Sequence, residues 1–159
     1  VPASLVERAK THARIDTSPA HRPPKAAALA VATVLSVGLS LAADALLVAL
    51  GKAVFPSTSG YVHFRFGDYS KLTVIGVIVA CAAWPIVTRL TAAPRWVFVR
   101  LAVLVTLVLL LPDLAILVQG QPGRAVAVLV CMHIAIGVVT YNLLVRVAPP
   151  QPAVASART

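Results

Sequence analysis

Long hydrophobic runs broken by short polar stretches define four segments between Ala26 and Val147, at about 26–50, 71–90, 96–119 and 125–147. A helix crossing an apolar core of about 30 Å needs about 20 such residues, so each run is long enough to span a bilayer. The links Thr91 to Arg95 and Gly120 to Arg124 are short, which makes consecutive helices antiparallel neighbours. The predicted fold is therefore all-α, an antiparallel bundle of four transmembrane helices over residues 26–147. Pro85 and Pro112 fall inside two of the runs, where membrane helices tolerate kinks if neighbouring groups satisfy the freed carbonyls.

Polar positions between the runs predict the connections. Residues 51–70 form the longest internal one: a Pro, Ser, Thr and Gly cluster, then an alternation with Val62, Phe64 and Phe66 on one side and Tyr61, His63 and Arg65 on the other. Period two predicts a short extended segment on the bilayer surface, with its aromatics at headgroup depth. Residues 1–25 carry five basic residues and four prolines without a sustained apolar period, and read as a mostly disordered basic tail with a short surface helix near Leu5 to Ala13. Residues 148–159, with Pro-Pro-Gln-Pro, read as a disordered end. A basic start followed by an apolar run also resembles a secretion signal, with a cleavage-like patch at Leu41 to Ala45. The run continues to Leu50, which favours an uncleaved helix.

Polar residues inside the runs are the candidate chemistry. Asp44, Asp113 and His133 interrupt apolar segments, and an ionisable residue at the centre of a membrane helix costs about 2.5 to 3.5 kcal/mol on insertion scales. Asp44 precedes Lys52 by eight residues, Asp113 precedes Gly120 by seven, and His133 follows Arg124 by nine. At about 1.5 Å per residue all three lie roughly 10 to 14 Å below the outer boundary, at a common level. Thr33, Ser36, Ser40 and Asp44 recur at intervals of three and four, as do His133, Gly137 and Thr140 or Tyr141, while Thr106 lies two turns from Asp113. Such stripes of small and hydroxylated residues belong at helix interfaces. The Gly120 to Arg124 turn is placed to bring Asp113 and His133 together.

Charge sets the threading. The chain has 14 Lys and Arg against five acids, for a net charge of +9, and 59% of its residues are hydrophobic. Ten basic residues fall on the side of the two termini and four on the other, so the positive-inside rule predicts both termini in the cytoplasm and a multi-pass protein of the inner (plasma) membrane. The basic balance reflects this orientation, with no nucleic-acid motif to absorb it. Trp96, Arg100, Tyr141 and Asn142 fall near the cytoplasmic boundary as interfacial anchors. Val1, with a composition rich in Ala, Val and Arg and poor in Lys, reads as the translation of a GTG start in a high-GC bacterium.

Several chemistries lack their motifs. Cys81 and Cys131 each stand alone, without the spacing of a redox pair or a thiolate zinc site. No HExxH, DxD or clustered histidine pattern supports a metal, no G-x-S-x-G turn surrounds Ser36 or Ser40, and no cofactor motif is present.

The runs LLLPDLAIL and VLVCMHIAIGVV, a Pro-Asp late in the third helix and a Met-His in the middle of the fourth, resemble a family of small uncharacterised actinobacterial membrane proteins grouped as a domain of unknown function. The resemblance covers about 26–147 and implies a four-helix integral membrane fold with no established activity. Two functional readings remain beside a third, an enzyme acting on a lipid-borne substrate, which has no motif to support it. One is a non-enzymatic accessory or interaction subunit of the cell envelope, partnered by a membrane protein or by its own copies. The other is a small carrier or ligand- or cation-binding protein, with Asp44, Asp113, His133 and Ser40 at its site and a water-accessible cavity beneath the Tyr61 to Tyr69 loop. The same level can instead be structural, with carboxylate, imidazole and hydroxyls fixing helix positions.

Overall fold

Residues 21–152 are described by the computed structural model, and they form four long helices: α1 (Ala26–Val54), α2 (Phe66–Leu90), α3 (Pro94–Val118) and α4 (Gly123–Val147). Each is long and apolar enough to cross a membrane, and the chain is a multi-pass membrane protein. The helices pack as four corners of a bundle in chain order. The largest contact is between α1 and α4, which closes the ring, and α1 and α3 lie across the diagonal with no substantial contact. The surface expected near 5–13, and most of both tails, lie outside the described residues.

The inward face of α1 is a strict repeat: Ala32, Ser36, Ser40, Asp44 and Val48 are all buried. A four-residue interval precesses about 40° per step around a 3.6-residue helix, so this stripe winds from one neighbour to the next. It also passes between two apolar clusters. At the end of the bundle that carries the termini, the tail end, Ala32 joins Val77, Trp84, Phe98 and Leu144. At the opposite end, the loop end, Val48 joins Phe64, Tyr69, Val128 and Met132. The polar members of the stripe fall in between.

Local chemistry sets the α3–α4 hairpin. Gly120 adopts φ +88°, the left-handed region that a Cβ disfavours. The Gln121 N–H bonds Ile116 O, and the Gly120 N–H bonds Leu117 O. This pair of bonds is the Schellman ending, which satisfies the last carbonyls of α3. Pro122 then precedes α4. Where α4 meets α1, a Cβ built on Gly51 would fall 2.7 Å from Val128 Cγ2, so these helices approach as closely as glycine allows.

The loop differs from its sequence expectation. Because α1 continues to Val54 and α2 begins at Phe66, the connection shortens to 55–65, and no extended segment forms. Pro56–Thr58 and Val62–Phe64 are 3-10 turns instead. The physical reason is backbone satisfaction. The N–H groups of Thr58, Ser59, Tyr61, Phe64 and Arg65 each bond the carbonyl three residues back, whereas an extended loop here would have had no partner strand. Phe64 is consequently buried, while Val62 and Phe66 are exposed, so the three do not share a side.

The C-terminal boundary also departs from expectation. Residues 148–152, read as part of a disordered end, are ordered against the bundle. The fully buried Trp84 donates its indole N–H to Ala148 O at 2.8 Å. His21–Arg22 and Gln151–Pro152 pair antiparallel, and Gln151 Nε2 donates to Pro23 O at 2.9 Å. A buried indole needs an acceptor, and the first carbonyl beyond α4 supplies it. Phe98 packs on Trp84 at 4.8 Å between ring centroids and stacks on Tyr141 at 6.1 Å. Arg100 lies over the Trp96 ring, and Asn142 donates to Val138 O within its own helix.

Candidate functional site: a buried polar level

Between the two apolar clusters the helices bring their polar residues inward. On α1, Ser36, Ser40 and Asp44 are fully buried, as the spacing of the stripe requires. Across from them Thr73 of α2 donates its hydroxyl to Asp44 Oδ2 at 2.7 Å. The other carboxylate oxygen, Oδ1, is buried without a hydrogen-bond partner, and so are the hydroxyls of Ser36, Ser40 and Thr140.

Asp113 and His133 meet across the α3–α4 hairpin. His133 Nδ1 lies 3.0 Å from Asp113 Oδ2 and 3.1 Å from Leu129 O. Both acceptors stand about the same ring nitrogen, so Nδ1 is the atom through which the imidazole meets the α3 acid. Asp113 Oδ2 is thereby held at ion-pair distance from His133, beside Leu129 O. Asp113 is 7% exposed and His133 27%, which makes the imidazole edge the open side of the pair. His133 also lies within electrostatic reach of Asp44, so one ring serves both acids. The helices are held close just beyond it. A Cβ on Gly137 would come within 2.9 Å of Thr106 Oγ1.

The loop closes over this level. The Tyr61 hydroxyl is buried without a partner. Its burial first, and the charge of Asp113 second, push the Tyr61 phenol above its ordinary pKa, so it stays a protonated donor. Tyr69 belongs to the apolar cluster between loop and level.

A cavity does lie beneath the loop, but its lining differs from the one expected of a carrier. It has a volume of about 700 Å³, and its walls include Ala45, Val48, Lys52, Tyr61, Arg65 and Tyr69. Asp44, Asp113, His133 and Ser40 are not among its lining residues. Val48 and Tyr69, both buried in the loop-end cluster, separate cavity from level. Among the described residues, no group of three or more His, Cys, Asp or Glu side chains is arranged to hold a metal ion.

Thr73 and Tyr61 were not singled out from the sequence as members of the level. Thr73 carried a usable signal, because Tyr69, Thr73, Val77 and Cys81 repeat at four and are all buried. Tyr61 carried none, since its inward turn depends on the loop's 3-10 geometry.

A family model described as a family of unknown function, DUF6069, matches residues 17–150, and the chain belongs to that family. No curated protein and no solved structure matches it.

Proposed function

We propose that this member of DUF6069 is a non-enzymatic multi-pass protein of the plasma membrane, with both termini cytoplasmic, whose buried level holds a proton or small cation. The observation that carries the reading is the pair of buried acids, Asp44 of α1 with one carboxylate oxygen unpartnered and Asp113 of α3 with a half-buried imidazole as its charge partner at 3.0 Å. Carboxylates at membrane depth face a charge partner or mark a proton or ion site, because bare charge is costly there. Here one ring cannot neutralise two carboxylates. A proton or a cation supplies the missing charge, and the 27% exposed edge of His133 is its way in.

Infrared difference spectroscopy of the purified protein, titrated with acid and then with sodium or lithium, tests this. The expected result is a carboxyl band that responds to proton or cation and disappears in Asp44→Asn or Asp113→Asn. Carboxyl bands that respond to neither would overturn it. Cysteine labelling at Ser57 from the outer side checks the orientation.

The accessory-subunit reading rests on a separate observation. Helix α3 buries only Pro94, Phe98 and Asp113, leaving most of its length open on the bundle surface. Mild-detergent purification at native expression tests it, and recovery of a monomer without a stoichiometric partner would count against it.

A further inference from the structure

The cavity beneath the loop has a graded lining. Ala45, Ala49 and Lys52 lie along one face of α1, spaced four and three apart, and all three line it. They cover about 10 Å of helix axis, running from the depth of the neighbouring Asp44 to the last turn. Two alanines leave an apolar furrow at depth, and the lysine stands at its mouth. Arg65 lines the same mouth from the opposite side, as the residue that precedes the first turn of α2. That turn has no side-chain cap, and its own acid, Asp68, is not among the cavity's lining residues. Neither Lys52 nor Arg65 forms an ion pair among the described residues, and no acidic side chain lines the cavity. Phe64, Phe66 and Tyr69 complete walls that are aromatic rather than charged.

We infer that this cavity is a binding site for an anionic phospholipid, its phosphate between Lys52 and Arg65 at the mouth and its chain along the Ala45–Ala49 furrow. Two cations stand where a headgroup phosphate would lie, with the Ser59 and Tyr61 hydroxyls in the same lining, and Ala45, Val48 and Ala49 give the furrow its apolar wall. The arrangement matches the polarity gradient of the ligand itself. At about 700 Å³ the cavity lies within the size range of small-molecule sites. The inference is independent of the Asp44, Asp113 and His133 level, whose residues it does not use.

Native mass spectrometry of the full chain, released from mixed phosphatidylglycerol and phosphatidylcholine nanodiscs, reads the site directly. Wild type is expected to retain one phosphatidylglycerol in preference to phosphatidylcholine by about tenfold or more. Lys52→Ala with Arg65→Ala should abolish the preference, and Lys52→Arg with Arg65→Lys should restore much of it. Ala49→Leu, which fills the furrow and spares both cations, should lower retention of both lipids. Circular dichroism of each variant separates loss of the site from loss of the fold. Equal retention of the two lipids by wild type, or a preference that survives removal of both cations in a folded protein, would overturn the inference. So would displacement of the retained lipid by free glycerol phosphate, which would mean that the site reads a soluble phosphate.

Discussion

The tail-end cluster and the polar level lie on the same helices, yet they handle polar groups in opposite ways. In the cluster, Trp84 is fully buried and its indole N–H has found Ala148 O, while Thr88 donates to Pro85 O and Thr91 accepts from the Ala93 N–H. In the level, Thr73 donates to Asp44 and His133 stands at ion-pair distance from Asp113, while among the described residues Asp44 Oδ1 and the hydroxyls of Ser36, Ser40 and Thr140 have no hydrogen-bond partner. A fully bonded core holds one arrangement. A level with unmet polar atoms is less completely bonded, and the proposed proton or cation site rests on that difference.

The sharpest way to break the contrast is to damage the saturated region. Trp84→Ala removes the ring packed on Phe98 and strands the Ala148 carbonyl, and should cost about 3 to 5 kcal/mol in thermal unfolding in detergent. Trp84→Phe should recover most of the packing but not the hydrogen bond. If Trp84→Ala melts within a degree or so of wild type, the cluster is not what holds the tail end.

Next in size is the Asp113 and His133 pair. Asp113→Asn and His133→Leu should each destabilise by about 1 to 3 kcal/mol, and the double variant by less than their sum. Additive losses in the cycle would mean that the 3.0 Å contact carries no coupling. Thr73→Val extends the test to the other acid. It should destabilise by about 1 to 3 kcal/mol, because Asp44 would then lose its hydroxyl donor.

Gly137→Ala probes how tightly α3 and α4 must approach to hold the level. The new methyl would meet Thr106 Oγ1 at 2.9 Å, so a loss of about 1 to 2 kcal/mol is expected, relieved by adding Thr106→Ala. Smallest is Gly120→Ala, where φ is +88° but space is open, and about 1 kcal/mol should be lost in the same melt.

The four spans and the inward direction of the α1 stripe were legible because both are local properties. Hydropathy over about 20 residues marks a span, and the recurrence of Ser36, Ser40 and Asp44 marks a face, whatever lies opposite. The loop was not legible because six alternating positions, 61–66, resemble a strand only while their backbone partners are unknown. Once each N–H bonds three residues back, period two loses its meaning.

By itself, then, the sequence determined a bundle of four membrane helices, the closeness of Asp113 and His133 to a common turn, and the set of polar residues that had to face inward. Tertiary structure alone decided that Thr73 answers Asp44, that His133 stands within reach of both acids, and that Trp84 is bonded by a residue 64 positions away. The physical reason is that helical periodicity specifies which face a residue occupies, whereas the partner it meets depends on the rotation and register of a second helix. Those are set by packing across the bundle, through contacts such as Gly51 on Val128 and Gly137 on Thr106.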